Sequence, residues 1–327
     1  MASTQQFRKR IRSVKNTSQI TRAMEMVASV KMQKAVKGIL TARSYIQNAW
    51  NMLVTLAGAT NPEWHPLLQR REIKRTLLIL AASDRGLCGS YNSDVMRKAT
   101  SYLKNVISNE VRNPQSSNSD SIDGDFSHSA DGGMARNDEA EVDIIAVGKK
   151  AAGYARKLAP GSLIAEFPGF EAGASYDDIT PIAKIVLDDY INGKYDEAVA
   201  IYSHFQSSLK QSPVVKQILP ITQEHIDIPE LWEEQKDTEK IEYKFEPDPD
   251  TVLERILPQL VRVQIYGLIL EANASEHSAR MVAMKSATDN AKNLIDDLTL
   301  TYNTIRQDSI TREIAEISGV AESMLSH

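Results

Sequence analysis

Alternate steps of four and three residues from Phe7 meet Ile11, Val14, Ser18, Thr21, Glu25, Ala28, Met32, Ala35, Ile39, Ala42, Ile46, Ala49, Leu53 and Leu56. All but Ser18, Thr21 and Glu25 are apolar, and no proline intervenes before Pro62. A heptad seam sustained this far commits the N-terminus to a helix laid along another helix. The same stepping from Ile256 meets Leu260, Val263, Gly267, Leu270, Ala274, His277, Met281, Met284, Thr288, Ala291, Ile295, Leu298, Tyr302 and Ile305. Ahead of this second seam, Asp248, Pro249 and Asp250 supply a capping acid, a first-turn proline and a charge suited to the helix dipole. Pro258 sits near the start, where a local kink is expected.

The two seams are natural partners. Thr4–Ala57 and Val252–Ile305 are equal in length, so an antiparallel pair is expected if the segment between them folds as one body. A helix over 252–318 spans roughly 100 Å, and a compact body of about 150 residues is nearer 40 Å across. The hairpin is therefore expected to protrude. Past Ile305 the seam direction turns polar, at Ser309 and Arg312, while apolar residues recur at Ile310, Ile314, Ile317 and Ala321. The C-terminal helix thus continues beyond its partner with an uncovered apolar face, and such a face implies another chain.

Between the helices the sequence alternates. KRTLLILAAS (74–83), EVDIIAVG (141–148), SLIAEF (162–167), EAVAIYSHF (197–205) and VVKQILPI (214–221) read as strands. Residues 92–107, 149–159 and 176–192 read as helices, the last opened by Asp177 or Asp178. This order predicts a mainly parallel, Rossmann-like sheet with helices on its faces. The fold class is α/β: a long antiparallel coiled coil of the terminal helices (1–60 and 248–327) plus a central domain (73–222). Residues 108–140, rich in Gly, Ser, Asn and Asp, read as a disordered insertion.

The net charge of −5 conceals an asymmetry, because residues 1–50 carry ten Lys or Arg against the single acid Glu25. Nucleic acid would call for interleaved aromatics, and the first 44 residues offer only Phe7; an acidic protein surface fits better, and no nucleic-acid partner is expected. No apolar run reaches transmembrane length, so any membrane role is peripheral, without direct lipid insertion. MASTQQFRKR lacks the apolar core of a secretory signal. The lone Cys88 excludes an internal disulfide and fits a reducing compartment.

The segment SDRGLCGSYN (83–92) lies between a strand and a helix, where a phosphate-cradling loop would stand. It matches neither GxGxxG nor GxxxxGK[ST], and a tight crossover is the plainer reading. Cys88 lacks a base at any telling spacing and reads as a small packed thiol. His277 on the seam has Arg280 and Met281 after it where a metal site would need ligands. No cofactor and no metal are expected. HSARMVAMKSATDNA (277–291) is slim for a seam, alanine, methionine and threonine standing where leucine is usual.

The residues IRSVKNTSQITRAMEMVASVKM (11–32), SDRGLCGSYN (83–92), EPDP (246–249), SEHSARMVAMKSATDNA (275–291) and YNTIRQDSITREIAEI (302–317) resemble the gamma subunit of rotary, F-type ATP synthase. The resemblance covers nearly the whole chain apart from 108–140. Val320 departs from it, standing where the family's closing signature carries glycine, and a lone cysteine cannot form the regulatory pair of chloroplast-type members. The resemblance implies a non-catalytic rotor shaft that couples proton flow to ATP synthesis by beta subunits. It implies contacts with the alpha and beta subunits at Met24, Glu276, Arg280, Gln307, Thr311 and Glu313. An apolar bearing is expected at Ile310, Ile314 and Ile317. The epsilon subunit and the membrane ring of c subunits are the further partners it implies. With no transit peptide in view, the expected location is the cytoplasmic face of the bacterial plasma membrane. Two competing readings are a nucleotide- or phosphate-binding α/β enzyme with a helical arm, and a passive coiled-coil adaptor.

Overall fold

The computed structural model describes residues 4–59, 65–107, 141–158, 161–170, 174–221 and 248–325. The expected insertion at 108–140 lies outside them. In chain order the elements are α1 (Thr4–Ala59), β1 (Arg75–Ala81), α2 (Tyr91–Ile107), β2 (Glu141–Val147), α3 (Lys149–Leu158), β3 (Leu163–Phe167), α4 (Tyr176–Ile191), β4 (Glu197–Phe205), β5 (Gln211–Leu219) and α5 (Pro249–Leu325). Two compact units result, Met1–Ser29 with Arg280–His327, and Val30–Ala279.

The first unit is a pair of helices. Phe7, Ile11, Val14, Ser18, Thr21 and Glu25 are half-buried and Ala28 is buried, whereas most residues between them are exposed. On α5 the facing positions Met284, Thr288 and Ala291 are buried, and Ile295, Leu298, Tyr302 and Ile305 are half-buried. Two helices alone can cover only one stripe of each other, which is why the heptad positions and few others leave solvent. Polar pairs set the register. The hydroxyls of Thr21 and Thr288 lie 2.8 Å apart. Arg8 donates to the Tyr302 hydroxyl at 2.9 Å and sits over that ring at 5.8 Å. Moving back along α1 therefore means moving forward along α5, the antiparallel match expected of Thr4 with Ile305.

In the second unit the same seam becomes tighter. Ala35 and Ala274 are fully buried against each other, and a Cβ on Gly38 would come within 3.3 Å of Leu270 Cδ1. Small residues let the two backbones approach closely.

The sheet has the order β3-β2-β1-β4-β5, parallel except for β5, which pairs antiparallel with β4. A short hairpin turn joins β4 to β5, with Ser207 N–H donating to Lys210 O at 3.0 Å, and such a turn permits only the antiparallel arrangement. It starts β5 at Gln211, earlier than the expected residue 214. Pro213 falls on this edge strand, where its missing donor costs least. Alternation divides β1 cleanly: Leu77, Ile79 and Ala81 join a core with α4 and α5, while Leu78, Leu80 and Ala82 join another with α2 and α3. Gly148, between β2 and α3, has φ +95, and a Cβ there would sit 2.1 Å from the Ala82 carbonyl oxygen. Only glycine fits.

Two local expectations change. α4 is capped by Ser175, whose backbone N–H donates to Asp178 Oδ2 at 2.7 Å; Asp178 acts from the first turn as the returning half of a capping box. More consequentially, α5 is not a one-stripe helix at its start. Leu253, Leu257, Val261, Ile265, Leu268, Ile269 and Ala272 enter the sheet core, and every residue of 267–270 and 272–275 is buried. A heptad pattern records the face toward α1 and misses the faces that the sheet covers. At the start of the helix, Asp248 caps as expected: Oδ1 accepts the Thr251 N–H at 2.8 Å.

Gly38→Ala is expected to be near neutral in urea unfolding, because a gain of about 1 kcal/mol in helix propensity is offset by the 3.3 Å approach to Leu270. Gly38→Leu is expected to destabilise by about 1–3 kcal/mol through overpacking. Half-buried Glu197 has its pKa raised from 4.5 by burial, against the opposing hydrogen bonds of Tyr102 and Thr76. A raised folded-state pKa gives stability that is full below the unfolded value and lost as pH rises through the folded one. Glu197→Gln keeps an acceptor, so its urea midpoint is expected to gain on wild type as pH rises above 4.5.

Candidate functional site

In an open α/β sheet, ligands bind beyond the carboxyl ends of the strands, where the strand order reverses. Here that point lies between β1 and β4, and α5 occupies it. The Tyr91 hydroxyl donates to Ala272 O at 3.2 Å, and Ser275 Oγ donates to Ser203 O at 2.8 Å. The 83–92 loop is satisfied from within. Asp84 Oδ1 accepts the Lys149 N–H at 2.9 Å and the Gly169 N–H at 3.0 Å, so the start of α3 already holds a carboxylate. The first turn of α2 carries Asp94. A phosphate at either helix start would meet a negative charge. The Ser83 hydroxyl donates to Arg85 O at 2.6 Å, and Asn92 Nδ2 donates to Cys88 Sγ at 3.2 Å. Cys88 is buried, the packed thiol expected of it. Among the described residues, no cluster of three His, Cys, Asp or Glu could hold a metal ion.

A polar contact between α5 and the β4–β5 hairpin has no counterpart in the sequence reading. His204 Nδ1 lies 2.7 Å from Glu271 Oε2. Ser278 Oγ donates to Ser208 O at 2.6 Å and accepts from Gln211 Nε2 at 3.1 Å. Burial, and then the neighbouring Glu271, holds the Tyr202 phenol well above its usual pKa. The signal was present as Glu271, Ser275 and Ser278, a polar stripe at helical spacing within an otherwise buried segment.

The expected contact residues fall into two groups. Met24, Glu276 and Arg280 are half-buried, and Glu276 and Arg280 each already make a contact within the chain. Gln307, Thr311 and Glu313 are exposed, as is every residue of 306–318. Ile310, Ile314 and Ile317 are 48%, 59% and 71% exposed. At about 100° per residue, Gln307, Ile310, Thr311, Glu313, Ile314 and Ile317 share an arc of about 160°. The old seam direction continues instead through Ser309, Arg312 and Glu316. The slim seam side chains point inward: Ala274, His277, Thr288 and Ala291 are all buried, so they thin the helix pair rather than present a smooth exterior.

A family model described as ATP synthase matches residues 3–324. The ATP synthase gamma chain of Heliobacterium modesticaldum is 35% identical over 324 residues, 99% of this chain and 100% of that one. The gamma chain of Cupriavidus necator is 36% identical over 323 residues, covering 98% and 99%. The chain belongs to the ATP synthase gamma chain family. Solved structures share the fold. A chain of the Euglena gracilis mitochondrial ATP synthase (OSCP/F1/c-ring, rotational state 3) superposes with TM-score 0.59 at 19% identity, covering 98% of this chain and 94% of that one. One from the Tetrahymena thermophila central stalk and c-ring gives 0.54 at 19%, covering 82% and 99%.

Gamma chains are non-catalytic subunits, so the enzyme reading is withdrawn, and the filled crevice gives its physical reason. The passive-adaptor reading falls with it, since the family is that of the central-stalk rotor. No helix among the described residues is long and apolar enough to cross a membrane. Asp84→Ala removes two charge-assisted bonds and is expected to cost about 1–3 kcal/mol in urea unfolding. Adding ATP should shift the midpoint of neither wild type nor variant.

Proposed function

We propose that this chain is the turning shaft of an ATP synthase catalytic head, and that Met24, Glu276, Arg280, Gln307, Thr311 and Glu313 are its coupling contacts with the alpha and beta subunits. The observation that carries this reading is the uncovered apolar face of Ile310, Ile314 and Ile317 on the part of α5 beyond Ile305. An apolar stripe with polar flanks, in a chain of this family, calls for an enclosing sleeve. The three isoleucines serve as the bearing: apolar contact is non-directional and lets one surface slide on another. Glu276 and Arg280, already engaged within the chain, supply polar contacts that can be exchanged as the shaft turns. The α/β unit binds the epsilon subunit and the ring of c subunits, and the complex stands at the cytoplasmic face of a bacterial plasma membrane.

Ile310→Ser with Ile314→Ser is expected to leave the unfolding free energy of the isolated chain within about 0.5 kcal/mol per site, because both residues are exposed. The assembled complex should lose rotation or fail to form; unaltered assembly and rotation would remove the bearing. Arg280→Ala is expected to lower coupled ATP synthesis several-fold in reconstituted vesicles. Unchanged coupling would strike Arg280 from the contacts.

A further inference from the structure

Glu271, Ser275 and Ser278 occupy the last turns of α5 before Ala279, where the α/β unit ends along this helix. Each is tied to the β4–β5 hairpin: Glu271 to His204, Ser275 to the Ser203 carbonyl, and Ser278 to the Ser208 carbonyl and Gln211. At the same level α5 meets α1 through Ala274 against Ala35 and Leu270 against Gly38. The clasp therefore adds directional polar bonds to a helix whose neighbouring faces pack on Ala35 and Gly38 and, through Leu268, Ile269 and Ala272, in the sheet core.

We propose that this clasp is a torque key: it fixes the rotational setting of α5 about its own axis, so that twist applied to the helix is delivered to the sheet. The inference rests on the shaft reading above. Apolar packing against Gly38, Ala35 and the sheet core holds the helix in place but tolerates small turns, because it is non-directional. Hydrogen bonds fail steeply with distance and angle. A hydroxyl about 4 Å from the helix axis moves by more than about 1 Å when the helix turns by about 20°, enough to break a bond that begins near 2.8 Å. Ser275 and Ser278 are fully buried, so a displaced hydroxyl finds no water to replace its lost partner. The clasp thus holds one angle against its neighbours. Ser275, Ser278, Glu271, His204 and Gln211 are positioning residues for coupling, remote from any reacting atom.

The test uses the assembled ATP synthase in inverted membrane vesicles, with ATP hydrolysis and ATP-driven proton uptake measured together. For His204→Ala with Ser278→Ala, hydrolysis is expected to stay near wild type while proton uptake per ATP falls about twofold or more. His204→Gln, which keeps a donor for Glu271, should restore the ratio when Ser278 is intact. A merely structural role would lower the yield of complex and leave the ratio of uptake to hydrolysis unchanged, and that result overturns the proposal. If the double variant does not assemble, Gln211→Ala at a half-buried position, removing the bond to Ser278 Oγ and one to Ser207 O, is read by the same ratio with the same two outcomes. Failure of the shaft reading looks different: the wild-type chain would then not restore coupled uptake to vesicles depleted of it.

Discussion

The close approach of α1 and α5 is the constraint on which the remaining structure depends. Ala35 against Ala274 and Gly38 against Leu270 bring two backbones together with little side chain between them. The polar pairs Thr21–Thr288 and Arg8–Tyr302 forbid slippage, since a shift of one turn would leave each without its partner. Once that register is fixed, the N-terminus of α1 and residue Ile305 must coincide, and whatever follows Ile305 extends past α1 without cover from the described residues. Exposure of Ile310, Ile314 and Ile317 is thus a consequence of helix lengths rather than a defect of packing.

The same helix that supplies the seam also completes the α/β fold. Over its first turns α5 is buried on several sides at once, one toward α1 and others toward β-sheet residues such as Ile79, Ala200 and Tyr202. It closes the crevice in which a Rossmann-like sheet would ordinarily hold a nucleotide. Asp84 does the equivalent at the start of α3, where its carboxylate takes the backbone donors that an anion would need. A fold often used for binding is here used as a mount for a helix, and the chemistry of ATP is left to other subunits.

Much of this was legible beforehand because burial along a helix or strand writes itself into periodicity. The seam positions from Phe7 to Ala42, the five strands and the turn of the apolar stripe past Ile305 all follow from residue type at fixed spacing. The slim seam around 277–291 was legible too, but its direction was not. Spacing shows that Ala274 and Thr288 share a face, and only the packed helices show that this face is turned inward, toward α1. The start of α4 is a similar case: Ser175, Asp177 and Asp178 are all good capping types, and the choice of Ser175 over the expected Asp177 or Asp178 rests on which backbone donor each one reaches.

From the sequence alone came the two paired helices, the sheet between them, the uncovered C-terminal face and the family. Each depends on local spacing or on contiguous motifs, which a linear string preserves. Tertiary structure decided what Glu271, Ser275 and Ser278 bind, what fills the crest of the sheet, and how much of α5 is enclosed. Those outcomes depend on which strands and turns are brought beside a helix from far along the chain. A short polar side chain reaches only about 3 Å, so its partner is fixed by the fold and by nothing in its immediate neighbours.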